Sequence, residues 1–325
     1  MPSRVLVAVA VALLTGACQS TMSIDEARRV TADFAGRSFV PPPRTVAEAT
    51  AILEQDRGVD LVAHARTLVD QPPPDTTDRD RLADFYFQRG RAAGAVGRIP
   101  QWIDDLSRAA EYARRMDLRM DILNHLANAH WGGGNLRRAI DIRQQMAAMR
   151  GAGLEGWPIP NQAKLARLYV MTGDLKAAGA AMRESARVLE ESKRWQGVDA
   201  YDIAFWHAAV AMARGSVLEA RGRFDEAERF YRESIAELAA DAKWSCENSR
   251  ARWCTRHPYR DGQVAQPTQL ALLLIRDGRL LEAESEARKA LLEMMSKWGR
   301  NTTGTASIVR VLARAIAEQG RYAEA

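Results

Sequence analysis

Cys246 and Cys254 stand eight residues apart in the stretch WSCENSRARWC, and His257 comes three residues later. Two chemistries suit that spacing. A pair of thiols on one short loop closes a disulfide if the chain matures in an oxidising compartment. A loop this short would contribute about 2.5 kcal/mol through chain entropy. Two thiolates and an imidazole also bind zinc, but they are one donor short of a closed structural site. The expectation is a disulfide between Cys246 and Cys254 and no metal. Other reactive residues are scattered. His125 and His130 are five residues apart, about 140° around a helix, and cannot share a metal. Gly132–Gly134 precedes no Lys-Ser/Thr pair of the phosphate-loop kind. There is no His-Glu-x-x-His, and no nucleophile elbow. His64 and His207 lie alone in amphipathic stretches. The chain carries no catalytic constellation, so neither an enzyme activity, a cofactor nor a small-molecule substrate is expected.

Cys18 has a different setting. One arginine precedes ten apolar residues, Val5 to Leu14, a run too short to span a bilayer as a resident helix. Thr-Gly-Ala-Cys comes next and completes a secretory signal layout. Leu-Leu-Thr-Gly-Ala-Cys resembles the lipobox of bacterial lipoproteins, with Thr15 where leucine is usual. The resemblance implies cleavage after Ala17 and a diacylglycerol thioether on Cys18. Gln19 next to it implies transfer to the outer membrane, periplasmic face. Simple signal cleavage, leaving a free thiol, is the alternative.

The elements that would position any site must be helical. The 325 residues include 46 Lys+Arg and 41 Asp+Glu, a formal charge of +5. Helix formers dominate, and Pro and Gly cluster between runs. Bases and acids are interleaved, so no nucleic-acid surface is expected. Residues 18–44 end in Pro41–Pro43 and read as a tether. Residues 45–79 read as a short helical pair, closed by Gln-Pro-Pro-Pro, with Asp75 to Asp78 available to cap the next helix.

From residue 80 the chain repeats. Turn glycines fall at 97, 134, 173, 222, 278 and 320. Seven residues before them stand Gly90, Ala127, Ala166, Gly215, Ala271 and Ala313, and five after them Trp102, Ala139, Ala178, Ala227, Ala283 and Ala325. Two helices joined by a tight turn need small residues where they cross, and a glycine for the positive φ. This register resembles the tetratricopeptide repeat (TPR), which implies an all-α fold, a right-handed α-solenoid of helical hairpins. The array would cover 80–325 with about five repeats and a truncated sixth. The glycine intervals of 37 to 56 residues exceed the usual 34, so helices are long or loops inserted. The longest interval suggests an inserted loop at 241–266.

The concave face of such an array is the expected binding surface. Six residues before each glycine are Arg91, Asn128, Arg167, Ser216, Leu272 and Arg314; ten before are Phe87, Asn124, Ala163, Met212, Thr268 and Arg310. Arg91, Asn124, Asn128, Arg167, Met212, Ser216, Arg310 and Arg314 form a stripe suited to gripping an extended peptide by its backbone and carboxylates. A solvated, passive face is the alternative. The chain also resembles, over its whole length, the N-terminal half of bacterial TPR–CHAT lipoproteins, in which repeats precede a caspase-like domain with a His–Cys dyad. No His–Cys pair of this sequence matches that motif. The expected function is a membrane-anchored protein-interaction scaffold; the alternative is the sensor half of a CHAT-type cysteine peptidase. Gly-Arg-Tyr-Ala-Glu-Ala at the end supplies only the start of a second helix. Val309, Leu312 and Ile316 are then expected to lose cover, with continuation beyond Ala325 and weak protection of 304–325.

Overall fold

The computed structural model describes residues 61–149, 154–198, 200–248, 262–298 and 302–325. The signal and tether segments with Cys18, the helical pattern at 45–56, Cys254 and His257 lie outside the described residues. Twelve helices, and no strand, occur among the described residues: α1 (Leu61–Val69), α2 (Arg79–Ala95), α3 (Ile99–Tyr112), α4 (Met116–Gly132), α5 (Leu136–Ala148), α6 (Pro158–Met171), α7 (Leu175–Ser192), α8 (Ala200–Glu219), α9 (Phe224–Asn248), α10 (Gly262–Arg276), α11 (Leu280–Trp298) and α12 (Thr303–Glu318). None of these helices is long and apolar enough to cross a membrane.

Helix starts are written in the sequence. Asp78 caps α2, its carboxylate accepting from the N–H groups of Asp80 and Arg81. Asn135, Asp174 and Thr302 do the same for α5, α7 and α12. Each satisfies a donor that the first turn leaves without a partner.

The turns share one plan. All six repeat glycines have φ between 75° and 81°, the left-handed region open to glycine. At Gly222, the glycine N–H donates to the Glu219 carbonyl at 2.9 Å, and the Arg223 N–H donates to the Leu218 carbonyl at 3.0 Å. The same two bonds recur at the other five turns. This is the Schellman arrangement, which satisfies carbonyls at a helix C-terminus.

Across each turn the paired helices α2/α3, α4/α5, α6/α7, α8/α9 and α10/α11 pack together, and each second helix packs on the first helix of the next pair. The crossings are built from the small residues. Ala127, Ala166 and Ala271 on first helices, and Ala139, Ala178, Ala227 and Ala283 on second helices, are fully buried. Trp102 occupies the place of those second-helix alanines, and Gly94 makes room for it. A Cβ on Gly94 would stand 2.7 Å from the indole Cε2.

The extra repeat length is mostly helix. α7 and α8 have 18 and 20 residues, against 13 and 14 in α5 and α6. Their added turns are held by Val188, Leu189, Trp206 and Val210, with Trp195 and Phe205 packed against them. Trp195 meets Trp206 edge to face at 5.9 Å. α9 runs on through Asn248, and α10 begins at Gly262. Residues 241–248 and 262–266 of the expected inserted loop at 241–266 are therefore helical, and 249–261 lie outside the described residues. Ala-Ala-Asp-Ala-Lys at 239–243 is good helix-forming sequence, so the helix continues into the Trp244–Cys246 stretch.

The end of the chain also differs from expectation. Leu312 and Ile316 are 6% and 4% exposed. They do not lose their cover, because α12 lies against both α10 and α11. Val309, Ala313 and Ala317, on the flank of α12, remain half-buried.

Candidate functional site

Asn124 and Asn128 lie one turn apart on α4, and Asn161, Lys164 and Arg167 follow one another at three-residue spacing on α6. Between the two helices comes a side chain from behind them. Arg143 of α5 is fully buried. Its Nη2 donates to Asn128 Oδ1 at 2.6 Å and to Asn124 Oδ1 at 3.4 Å, and its Nη1 donates to Asn161 Oδ1 at 3.2 Å. Asn161 Nδ2 returns a bond to the Arg143 backbone carbonyl at 3.0 Å. Lys164 Nζ donates to Asn124 Oδ1 at 3.0 Å.

Arg143 was not among the residues expected at a site, although the repeat register marks it. Nine residues after the other turn glycines stand Leu106, Met182, Tyr231 and Ala287. An arginine at a core position of that series is the signal. Buried cations normally take a carboxylate partner. Arg143 has none among the described residues; its bonds go to amide oxygens. Burial, aided by the nearby charge of Arg167, brings its guanidinium down to about 9, so it remains a cation at neutral pH.

Arg167 lies beside this cluster, with its guanidinium 4.9 Å from the Trp131 ring centroid. It forms no hydrogen bond or ion pair among the described residues. Burial lowers its pKa, while Tyr231 and Glu219 act in the opposite sense. Glu219 is itself occupied: it accepts from the Tyr231 hydroxyl at 2.6 Å and pairs with Arg276. Three basic groups, Arg143, Lys164 and Arg167, thus converge on the α4–α6 face with amides between them.

The rest of the expected stripe divides. Arg91 is half-buried, its guanidinium 5.6 Å from the Phe87 ring. Arg310 and Arg314 are exposed, and Arg314 lies 3.7 Å from Glu318. Met212 and Ser216 do not line a groove. Met212 is 2% exposed, and Ser216 is buried with its hydroxyl donating to the Met212 carbonyl. The reason is local: α8 packs against α6 as well as α9, so its groove-side positions become core. Four of the six residues ten before a glycine, Phe87, Ala163, Met212 and Thr268, are buried. They lie about 40° around the helix from the six-before set, toward the neighbouring helix. The structure therefore brings Asn124, Asn128 and Arg167 together and leaves the other named residues apart. Among the described residues no cluster of His, Cys, Asp and Glu is placed to hold a metal.

No family model matches the chain, and no curated protein matches it. Solved structures do. A Rap protein complexed with competence and sporulation factor superposes with a TM-score of 0.50 at 13% identity, over 84% of this chain and 73% of that one. A tetratricopeptide repeat protein from Parabacteroides merdae superposes with a TM-score of 0.45 at 13% identity, over 81% and 80%. The likeness to the Rap protein agrees with the turn and crossing geometry. The fold is all-α, an α-solenoid of TPR helical hairpins.

Proposed function

We propose that this chain is an interaction scaffold that holds an extended, acidic segment of a partner protein on the α4–α6 face. The observation that carries the reading is Arg167. It is stacked on Trp131 with no hydrogen-bonded partner among the described residues, beside two other cations. A carboxylate there gains charge-assisted hydrogen bonds in a place whose burial already disfavours uncompensated positive charge. The complex of the Rap protein with competence and sporulation factor gives one instance of this fold with a bound factor.

Replacing Asn128 and Arg167 together with alanine is the test. Partners recovered by cross-linking with the wild type should be lost from the double variant, while far-UV circular dichroism stays the same. Binding by the wild type should weaken as salt rises, because the contact is ionic. Unchanged recovery from the double variant would make the face passive.

We further propose that the scaffold is tethered by lipid at Cys18 to the periplasmic side of a bacterial outer membrane. The support is the Leu-Leu-Thr-Gly-Ala-Cys stretch after a short apolar run. Metabolic palmitate should label the wild type and not Cys18→Ser. Equal labelling, or a wild type recovered wholly in the soluble fraction, removes the anchor.

A further inference from the structure

Three amides surround the Arg143 guanidinium, and all three turn their oxygens toward it. That orientation is forced. A guanidinium only donates, so a flipped amide would set N–H against N–H. Asn161 uses its own NH2 on the Arg143 carbonyl. The NH2 groups of Asn124 and Asn128 make no hydrogen bond among the described residues, and both side chains are half-buried on the face between α4 and α6. With the oxygens held inward, what remains outward is a row of donors. Arg167 extends it, while the Lys164 ammonium is engaged with Asn124 Oδ1. Asp121, one turn before Asn124 on α4, lies in the field of Arg91, and Glu219 on α8 is committed to Tyr231 and Arg276.

We infer that Arg143 is a positioning residue for the face. By fixing both asparagine amides it makes this stretch donor-only, so that it selects a bound segment by carbonyl and carboxylate oxygens and rejects one that presents N–H groups. An asparagine free to flip would donate to the first kind of ligand and accept from the second. Arg143 removes that choice from behind, without touching the ligand. This rests on the reading of the face as a peptide site, and adds a source for its selectivity.

The probe is succinate, with succinamide, its neutral diamide, as control. Both are titrated into 15N-labelled protein at fixed ionic strength while the asparagine side-chain NH2 resonances are followed. In the wild type, succinate should shift the Asn124 and Asn128 NH2 pairs, and succinamide should bind roughly tenfold more weakly. Arg143→Met should return both pairs toward solvent-averaged positions and bring the two ligands to similar, weak affinity. Arg143→Lys, which keeps a charge and donors but cannot bridge both amides, should fall between. It serves as the comparison if the methionine variant does not fold. Wild-type discrimination retained in Arg143→Met, or in Arg143→Lys when that is the variant compared, overturns the role of Arg143 and leaves the face as a binding site. No response to succinate in the wild type overturns the binding reading and this inference with it.

Discussion

Gly215→Ala is expected to lower the stability of the α8–α9 hairpin by about 2 kcal/mol, although alanine is the better helix former by up to about 1 kcal/mol. A Cβ on Gly215 would lie 2.6 Å and 2.7 Å from two ring carbons of Tyr231, and 3.2 Å from the Ala227 carbonyl oxygen. The ring cannot retreat. Tyr231 is fully buried, and its hydroxyl is tied to Glu219 and Ser216. The two helices must then separate where they pack most closely. Native-state hydrogen exchange should show the loss in α8 and α9 amides and little change in α2–α5. The same change in the first repeat, Gly90→Ala, meets the Leu106 side chain at 3.1 Å and Asp105 Cβ at 3.2 Å. These contacts need a shift of only a few tenths of an ångström, against a true overlap at Tyr231, so the cost there should stay under about 1 kcal/mol. The decisive comparison is the pair with Tyr231→Leu. In that background Gly215→Ala should become neutral or stabilising. A cost that persists without the ring would locate the strain elsewhere.

That prediction shows why the fold was legible. Small residues seven before and five after each turn glycine are a statement about distance between two backbones, and distance fixes the residue type. The glycine at 215 and the tyrosine at 231 are one fact written twice. Trp102 breaks the pattern, and Gly94 repairs it nearby in the same hairpin. Lengths were less legible. The stretch around Trp244 and Cys246 carries loop-like residues, yet the helix-forming run before it carries α9 to Asn248. The site was half legible. Counting back from each glycine found Asn124, Asn128 and Arg167, because all lie on the same stripe of their helices. It also named Met212 and Ser216, because an offset along one helix says nothing about how near the next helix comes. Arg143 is hidden in the sequence for a different reason. It belongs to a second helix, at a position that elsewhere in the array is core, and only its length lets it reach the amides on the other side.

The turn after α12 is held in place by Glu284. Its carboxylate lies in α11 with an 11% exposed side chain. It accepts from Arg288 at 2.6 Å, from Gln319 at 2.8 Å and from Arg321 at 2.8 Å. Gln319 and Arg321 belong to the segment that closes α12, so one buried acid ties that segment to the preceding helix. Removing it strands the Arg288 guanidinium, whose side chain is 5% exposed. Breaking a buried pair from one side costs about 3 kcal/mol or more. Glu284→Ala is therefore expected to release 303–325, with amide protection there falling by about two orders of magnitude and the first three hairpins unaffected. The acid has its own signature. Burial alone would raise its pKa, but the hydrogen bonds of Gln319 and Arg288 and the charges of Arg288 and Arg321 bring it below the ordinary glutamate value. A carboxyl held low in the folded state contributes stability that is full above its unfolded value, about 4.3, and is lost as the pH falls through the folded value. Protection of 303–325 should thus decline below about pH 4 in the wild type, beyond the general acid response of the array, and Glu284→Gln should remove that extra decline. If the glutamine and alanine variants protect 303–325 as the wild type does, the apolar face of α12 on α10 and α11 is sufficient alone, and the carboxylate only decorates a contact that packing has already made.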